Sequence, residues 1–169
     1  LEARLTALEE GAMCVALSSG TSAVMYSLIN IMSQGDNFVT ANQLYGGTYT
    51  MFDNILPEYG INSKKVDITD LEAVEAAIDE KTRAIYCETI TNPGLVVADI
   101  SALADIAHSK GIPLIVDATF TTSAILKPFE YGADIVVYSL TKWMSGHGRV
   151  IAGAVLSLIH ISEPTRQLC

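Results

Sequence analysis

Apolar residues in this chain come in short unbroken runs, and between the runs they recur every three or four positions. MCVAL (13–17), FVTA (38–41), RAIYCETI (83–90), PLIVDATF (113–120) and DIVVYSL (134–140) read as strands, with VIAGAVLSL (150–158) a further one. PLIVDATF and DIVVYSL are apolar on successive residues rather than alternate ones, as strands covered on both faces require. Helices are predicted over TSAVMYSLINIM (21–32), within TYTMFDNILPEYG (48–60), and over ADISALADIAHSKGI (98–112), where Gly111 is the natural stop. Over residues 69–79, Thr69 stands as the capping residue with Glu72 three positions on, and Leu71, Val74 and Ile78 recur at helical spacing. Alternation of buried strands and helices predicts an α/β fold, a doubly wound, mostly parallel sheet with helices on both faces.

The ends break this pattern. LEARLTALEEG (1–11) begins abruptly inside a helix, and SLIHISEPTRQLC (157–169) resembles translated adapter sequence. The expected organisation is a partial domain over 1–156 with a non-native tail over 157–169, in a chain that is a fragment.

With 169 residues, half of them apolar and 17% charged, the chain can bury a real core. The net charge of −9, with Lys and Arg scattered, leaves no phosphate-tracking face and argues against nucleic acid. Cys14 and Cys87 each lie inside an apolar run, where a small buried thiol is the simplest reading. No apolar stretch is long enough to span a bilayer, and a cytoplasmic setting is expected. Three histidines without a carboxylate cluster predict no metal centre.

In open parallel sheets ligands sit beyond the carboxyl ends of the strands. The residues just after each predicted strand are therefore the ones to read for chemistry. SSGTSA (18–23) is a strand-to-helix turn of small residues, where free N–H groups and the helix dipole favour an anion. Its spacing is neither a dinucleotide fingerprint nor a P-loop. Ser139 and Thr141 can add hydroxyl donors or simply cap a turn.

Asp117 ends LIVD, so its carboxylate needs a cation or several donors: a metal, an arginine, a protonated ring nitrogen, or strand-end N–H groups. Tyr45 precedes two glycines and offers an aromatic face, and Asn92 lies in the turn TNPG. Lys142 follows an apolar strand, where desolvation would make its amine nucleophilic toward an aldehyde. SLTK also matches the S-x-x-K signature of penicillin-recognising hydrolases, but the companion elements S-D-N and K-T-G are absent.

An anion cradle, a stacking ring, an acid for a ring nitrogen and a lysine for a Schiff base together suit pyridoxal phosphate. The sequence resembles the cysteine/methionine-metabolism (transsulfuration) family of fold-type-I pyridoxal-phosphate enzymes from residue 1 to about residue 156. YSLTKWMSGHG (138–148) is similar to that family's lysine motif, VDATF (116–120) to its acid motif and ETITNP (88–93) to its Asn-Pro turn. LYGGTY (44–49) and SSGTSA match the stacking-tyrosine and phosphate elements.

The resemblance implies that Lys142 binds the cofactor aldehyde and shuttles protons, and that Asp117 keeps the ring nitrogen protonated. It further implies that Tyr45 stacks on the ring, and that Gly20, Thr21, Ser139 and Thr141 hold the phosphate. Asn92 would lie near the phenolic oxygen and Thr119 would support the ring.

The closest resemblance is to O-acetylhomoserine sulfhydrylases, with γ-replacement by a sulfur nucleophile. Methionine γ-lyases commonly carry Cys where this chain has Gly47. Elimination of the methionine γ-lyase or cystathionine type is the alternative, and a non-catalytic phosphate-binding module is the reading from another class. The implied partners are a sulfur-containing or O-acylated amino acid and, for the whole protein, three further copies in a homotetramer.

Overall fold

A computed structural model describes residues 1–158. In chain order its elements are α1 (Glu2–Glu9), β1 (Met13–Leu17), α2 (Gly20–Ile29), β2 (Asn37–Ala41) and α3 (Gly46–Thr50). There follow a π turn (Met51–Ile55), a 3₁₀ turn (Leu56–Tyr59), β3 (Asn62–Val66), α4 (Leu71–Ala77), β4 (Thr82–Glu88) and α5 (Ile100–Ser109). The chain continues through β5 (Leu114–Asp117), α6 (Thr122–Ile125), a 3₁₀ turn (Pro128–Tyr131), β6 (Ile135–Ser139) and β7 (Gly153–Ser157).

The strands form one seven-stranded sheet in the order β1-β7-β6-β5-β4-β2-β3. Neighbours from β3 to β6 are parallel, and β7 alone runs against both β6 and β1. The sheet is therefore mostly parallel, as the buried runs predict. Leu114, Ile115 and Val116 of β5 and Val136, Val137 and Tyr138 of β6 are all fully buried on successive residues. Both faces of these strands are covered, so the burial itself excludes an open-faced sheet. Phe38, Phe52 and Tyr86 pack edge-to-face, with ring centroids 4.8 and 5.1 Å apart, and fill the core between β2, β4 and the π turn.

Several boundaries depart from the periodicity. α2 stops at Ile29 rather than Met32. The cap of α4 is Asp70, whose carboxylate accepts the Ala73 N–H at 3.0 Å, while Thr69 turns back onto Asp67. Thr69 is thus displaced as the cap by the stronger acceptor next to it. β3, NSKKV, has no apolar run to mark it and forms because β2 offers it a free edge. Its Lys64 and Lys65 bear ion pairs to Asp79 and Asp53, and charge on an edge strand discourages further pairing. The sheet pairing continues through Ser157, one residue into the expected foreign tail; the tail beyond Leu158 lies outside the described residues. No helix among the described residues is long and apolar enough to cross a membrane.

Candidate active site

The carboxyl ends of β4, β5 and β6 and the start of α2 surround one cavity of about 690 Å³. Gly20, Thr21, Tyr45, Asn92, Asp117, Thr119, Ser139, Thr141 and Lys142 all line it. Residues drawn from five separate stretches of sequence are thereby brought to one place by the sheet order.

The anion cradle is built by close packing. Ser19 caps α2, its hydroxyl accepting the Ser22 N–H at 3.0 Å. Gly20 and Thr21, in the first turn, have no intrahelical acceptor for their N–H groups. A Cβ on Gly20 would lie 2.5 Å from the Ser139 Cβ, and one on Gly153 would lie 2.1 Å from the Ser19 carbonyl oxygen. Only glycine at both positions lets the helix start sit against β6 and β7.

Asp117 and Glu88 are register neighbours at the ends of β5 and β4. Asp117 accepts the Thr119 N–H at 2.9 Å and a long, 3.4 Å bond from the Tyr86 hydroxyl. Burial raises its pKa despite those donors, so the carboxylate lacks a full counter-charge. A protonated ring nitrogen is a group that would fit this deficit. Thr119 also accepts the Ser139 N–H at 2.7 Å, which ties the ends of β5 and β6 together.

Glu88 accepts the N–H of Tyr45 at 2.8 Å and that of Asn92 at 3.3 Å. Burial, reinforced by Asp117, pushes its carboxyl up to about 7. Neither Glu88 nor Tyr86 is singled out by the motifs. Glu88 was findable by the same signal that marks Asp117, an acid closing an apolar strand; Tyr86 carries no such signal.

Lys142 departs from expectation. β6 ends at Ser139, and the chain leaves the sheet in a turn in which the Lys142 N–H donates to the Ser139 carbonyl at 3.2 Å. The lysine lines the cavity but is exposed, so the strand aims it without desolvating it. Thr141 also differs: its hydroxyl donates to the Ala152 carbonyl at 3.2 Å and accepts the Ala152 N–H at 3.1 Å. One hydroxyl has one proton, so this geometry leaves Thr141 no donor for an anion.

Tyr45 is half exposed, and its ring leans over Gly47, where an added Cβ would lie 2.7 Å from the ring. Asn92 is exposed in a turn closed by a cis Asn92–Pro93 bond. Cys14 and Cys87 are buried thiols pushed up to about 12, as inert core residues are. His108 pairs with Asp134 at 2.9 Å, away from the cavity. Among the described residues no group of side chains is arranged to hold a metal ion.

Over 156 residues the chain is 46% identical to a homocysteine synthase of Schizosaccharomyces pombe, covering 92% of this chain and 36% of that protein. It is 42% identical to an L-methionine γ-lyase of Pseudomonas putida, covering 92% and 39%. The fold matches a crystal structure described as an O-acetylhomoserine (thiol)-lyase of Campylobacter jejuni with a TM-score of 0.92 and 38% identity, over 96% of this chain and 40% of that one. That structure carries a pyridoxyl-lysine-phosphate group. The chain thus spans somewhat over a third of the length of the relatives it matches. The family described as Cys/Met metabolism PLP-dependent enzyme matches residues 1–166, and with the shared fold and the identity to these relatives, the chain belongs to that family.

Proposed function

We propose that the whole protein catalyses γ-replacement on O-acetylhomoserine with a sulfur nucleophile. The observation that carries the reading is the meeting, in one cavity, of Lys142, the cation-deficient Asp117 and the α2 cradle. When bound, pyridoxal phosphate supplies an aldehyde for a lysine or substrate amine and a ring that accepts electrons.

Each side chain then has a separate task. The N–H groups of Gly20 and Thr21, with the Ser139 hydroxyl, bind the phosphate. The Asp117 carboxylate holds a proton on the ring nitrogen, and Thr119 keeps that carboxylate oriented through its N–H. Tyr45 would cover the ring, and Asn92, on the same cavity wall, would be available to its phenolic oxygen. The Lys142 amine is the base for the substrate Cα proton and returns it later in the cycle. Thr141 serves by holding the turn that carries Lys142 rather than by binding phosphate.

The sulfhydrylase reading is supported by Gly47, which leaves the Tyr45 ring its place over the helix start. Elimination of the L-methionine γ-lyase type is the second reading, favoured by a relative of nearly the same identity. For the whole protein a homotetramer is the expected assembly, and sedimentation is its test.

The test is reconstitution of the whole protein with pyridoxal phosphate. Borohydride should trap an adduct on Lys142 that vanishes in Lys142→Ala. A label elsewhere, or none, favours a non-catalytic phosphate-binding module. Homocysteine from O-acetylhomoserine plus sulfide supports replacement; 2-oxo acid and ammonia from methionine alone supports elimination.

A further inference from the structure

Glu88 has no task in that scheme, yet it is a buried carboxylate on the cavity wall. Its two oxygens are divided between two segments distant in sequence: Oε1 takes the Tyr45 N–H at 2.8 Å and Oε2 the Asn92 N–H at 3.3 Å. The same two segments meet again at Gly94, where an added Cβ would collide with the Gln43 side chain. The sheet holds each segment only at its root, through the Asn42 N–H on the Val66 carbonyl and the Thr89 N–H on the Asp117 carbonyl, and both carry a group assigned to the cofactor ring.

We propose that Glu88 is a positioning residue, whose ionised carboxylate clamps the Tyr45 and Asn92 segments together over the ring, and that protonation opens the clamp. This rests on the pyridoxal-phosphate reading of the site. An ionised carboxylate offers two strong acceptors, whereas the protonated acid keeps one, since its hydroxyl oxygen accepts poorly. The longer bond, to Asn92, is the one lost first.

The titratable groups around Glu88 include one carboxylate that favours its protonation. Asp117 on β5 is negative beside it, Cys87 and Tyr86 on its own strand are neutral, and Tyr45 approaches from the start of α3. Lys142 lines the same cavity from beyond β6 and is the cation available. Burial, reinforced by Asp117, pushes the carboxyl up to about 7, so the clamp opens near neutral pH.

The experiment uses the whole protein loaded with pyridoxal phosphate, in wild-type, Glu88→Gln and Glu88→Asp forms. Borohydride trapping at Lys142 is the control: if it fails in wild type, the cofactor reading is wrong and not merely the clamp. The readout is the visible circular dichroism of the bound cofactor between pH 5.5 and 8.5, which reports how the ring is held.

Wild type should lose signal through one protonation near pH 7, and Glu88→Gln should show the weaker, low-pH signal at every pH. kcat should fall between about tenfold and about 100-fold in Glu88→Gln, as expected for misplaced reacting groups, with KM little changed. A transition that persists unaltered in Glu88→Gln belongs to another group and overturns the proposal. Should that variant not fold, Glu88→Asp decides: a displaced midpoint supports the clamp, and wild-type behaviour refutes it.

Discussion

The two ends of the sheet treat their carboxylates in opposite ways. At the amino end, Asp79 accepts from the Asn37 amide at 2.9 Å, the Lys81 N–H at 2.9 Å and the Lys64 amine at 2.6 Å. Thr82 closes the network by donating to Asn37 at 2.7 Å and accepting the Asp79 N–H at 2.9 Å. These donors hold the Asp79 carboxyl below the usual range. At the carboxyl end, Glu88 and Asp117 lie side by side with N–H and hydroxyl donors but no salt bridge, and burial raises both. One end is electrostatically complete and supports the fold. The other is left short of positive charge, a deficit that a cationic ligand would fill.

Removing the groups that answer to the ligand should show the largest effects. Lys142→Ala should abolish the trapped adduct and lower turnover by about 10⁴-fold in the whole protein, an upper-range loss for an acid–base group. Asp117→Asn should cost about 10²–10³-fold in kcat, the loss typical of one electrostatic contact to developing charge. The same substitution should stabilise the cofactor-free protein at alkaline pH, since a raised carboxyl destabilises the fold once it ionises. Loss of stability there instead would mean that Asp117 is a structural anchor and the comparison fails.

The pH dependence of unfolding separates the two ends by sign. Glu88, raised from 4.5 to about 7, contributes stability that is present below about 4.5 and lost as pH rises through about 7. That fall should be on the order of 3 kcal/mol, and Glu88→Gln should flatten it. Asp79 behaves oppositely: its contribution is present above 3.8 and is lost only as acid takes pH down through its lowered pKa. Asp79→Asn should therefore remove an acid limb, as read by urea denaturation at several pH values.

The smallest effects come from glycines. Gly20→Ala drives a Cβ to 2.5 Å from Ser139 and should cost about 1–3 kcal/mol, with weaker pyridoxal-phosphate binding. Gly111→Ala, at the amino end, meets open space but has φ +70°, and should cost only about 1–2 kcal/mol without touching cofactor affinity.

Legibility in the sequence followed burial. β5 and β6 are unmistakable because every residue before the last is apolar, whereas NSKKV became β3 only through the edge that β2 presents. Asp117 stands out as an acid ending LIVD, and Glu88 ends AIYCE in the same manner, but the motif it opens, ETITNP, drew attention to Asn92 instead. Lys142 was located by its neighbours, but its exposure was not, since that depends on where the chain leaves the sheet. The hydroxyl of Thr141 was free in sequence and is committed to Ala152 in space.

By itself the sequence determined the α/β class, the strand-end residues and the order of five motifs, because local periodicity and residue chemistry are written one position at a time. Only the tertiary structure decided that β7 runs against its neighbours, that Gly20 and Ser139 touch, and that one carboxylate joins Tyr45 to Asn92. Those facts depend on which strands lie side by side, and strand order is set by the whole chain's packing rather than by any stretch of it.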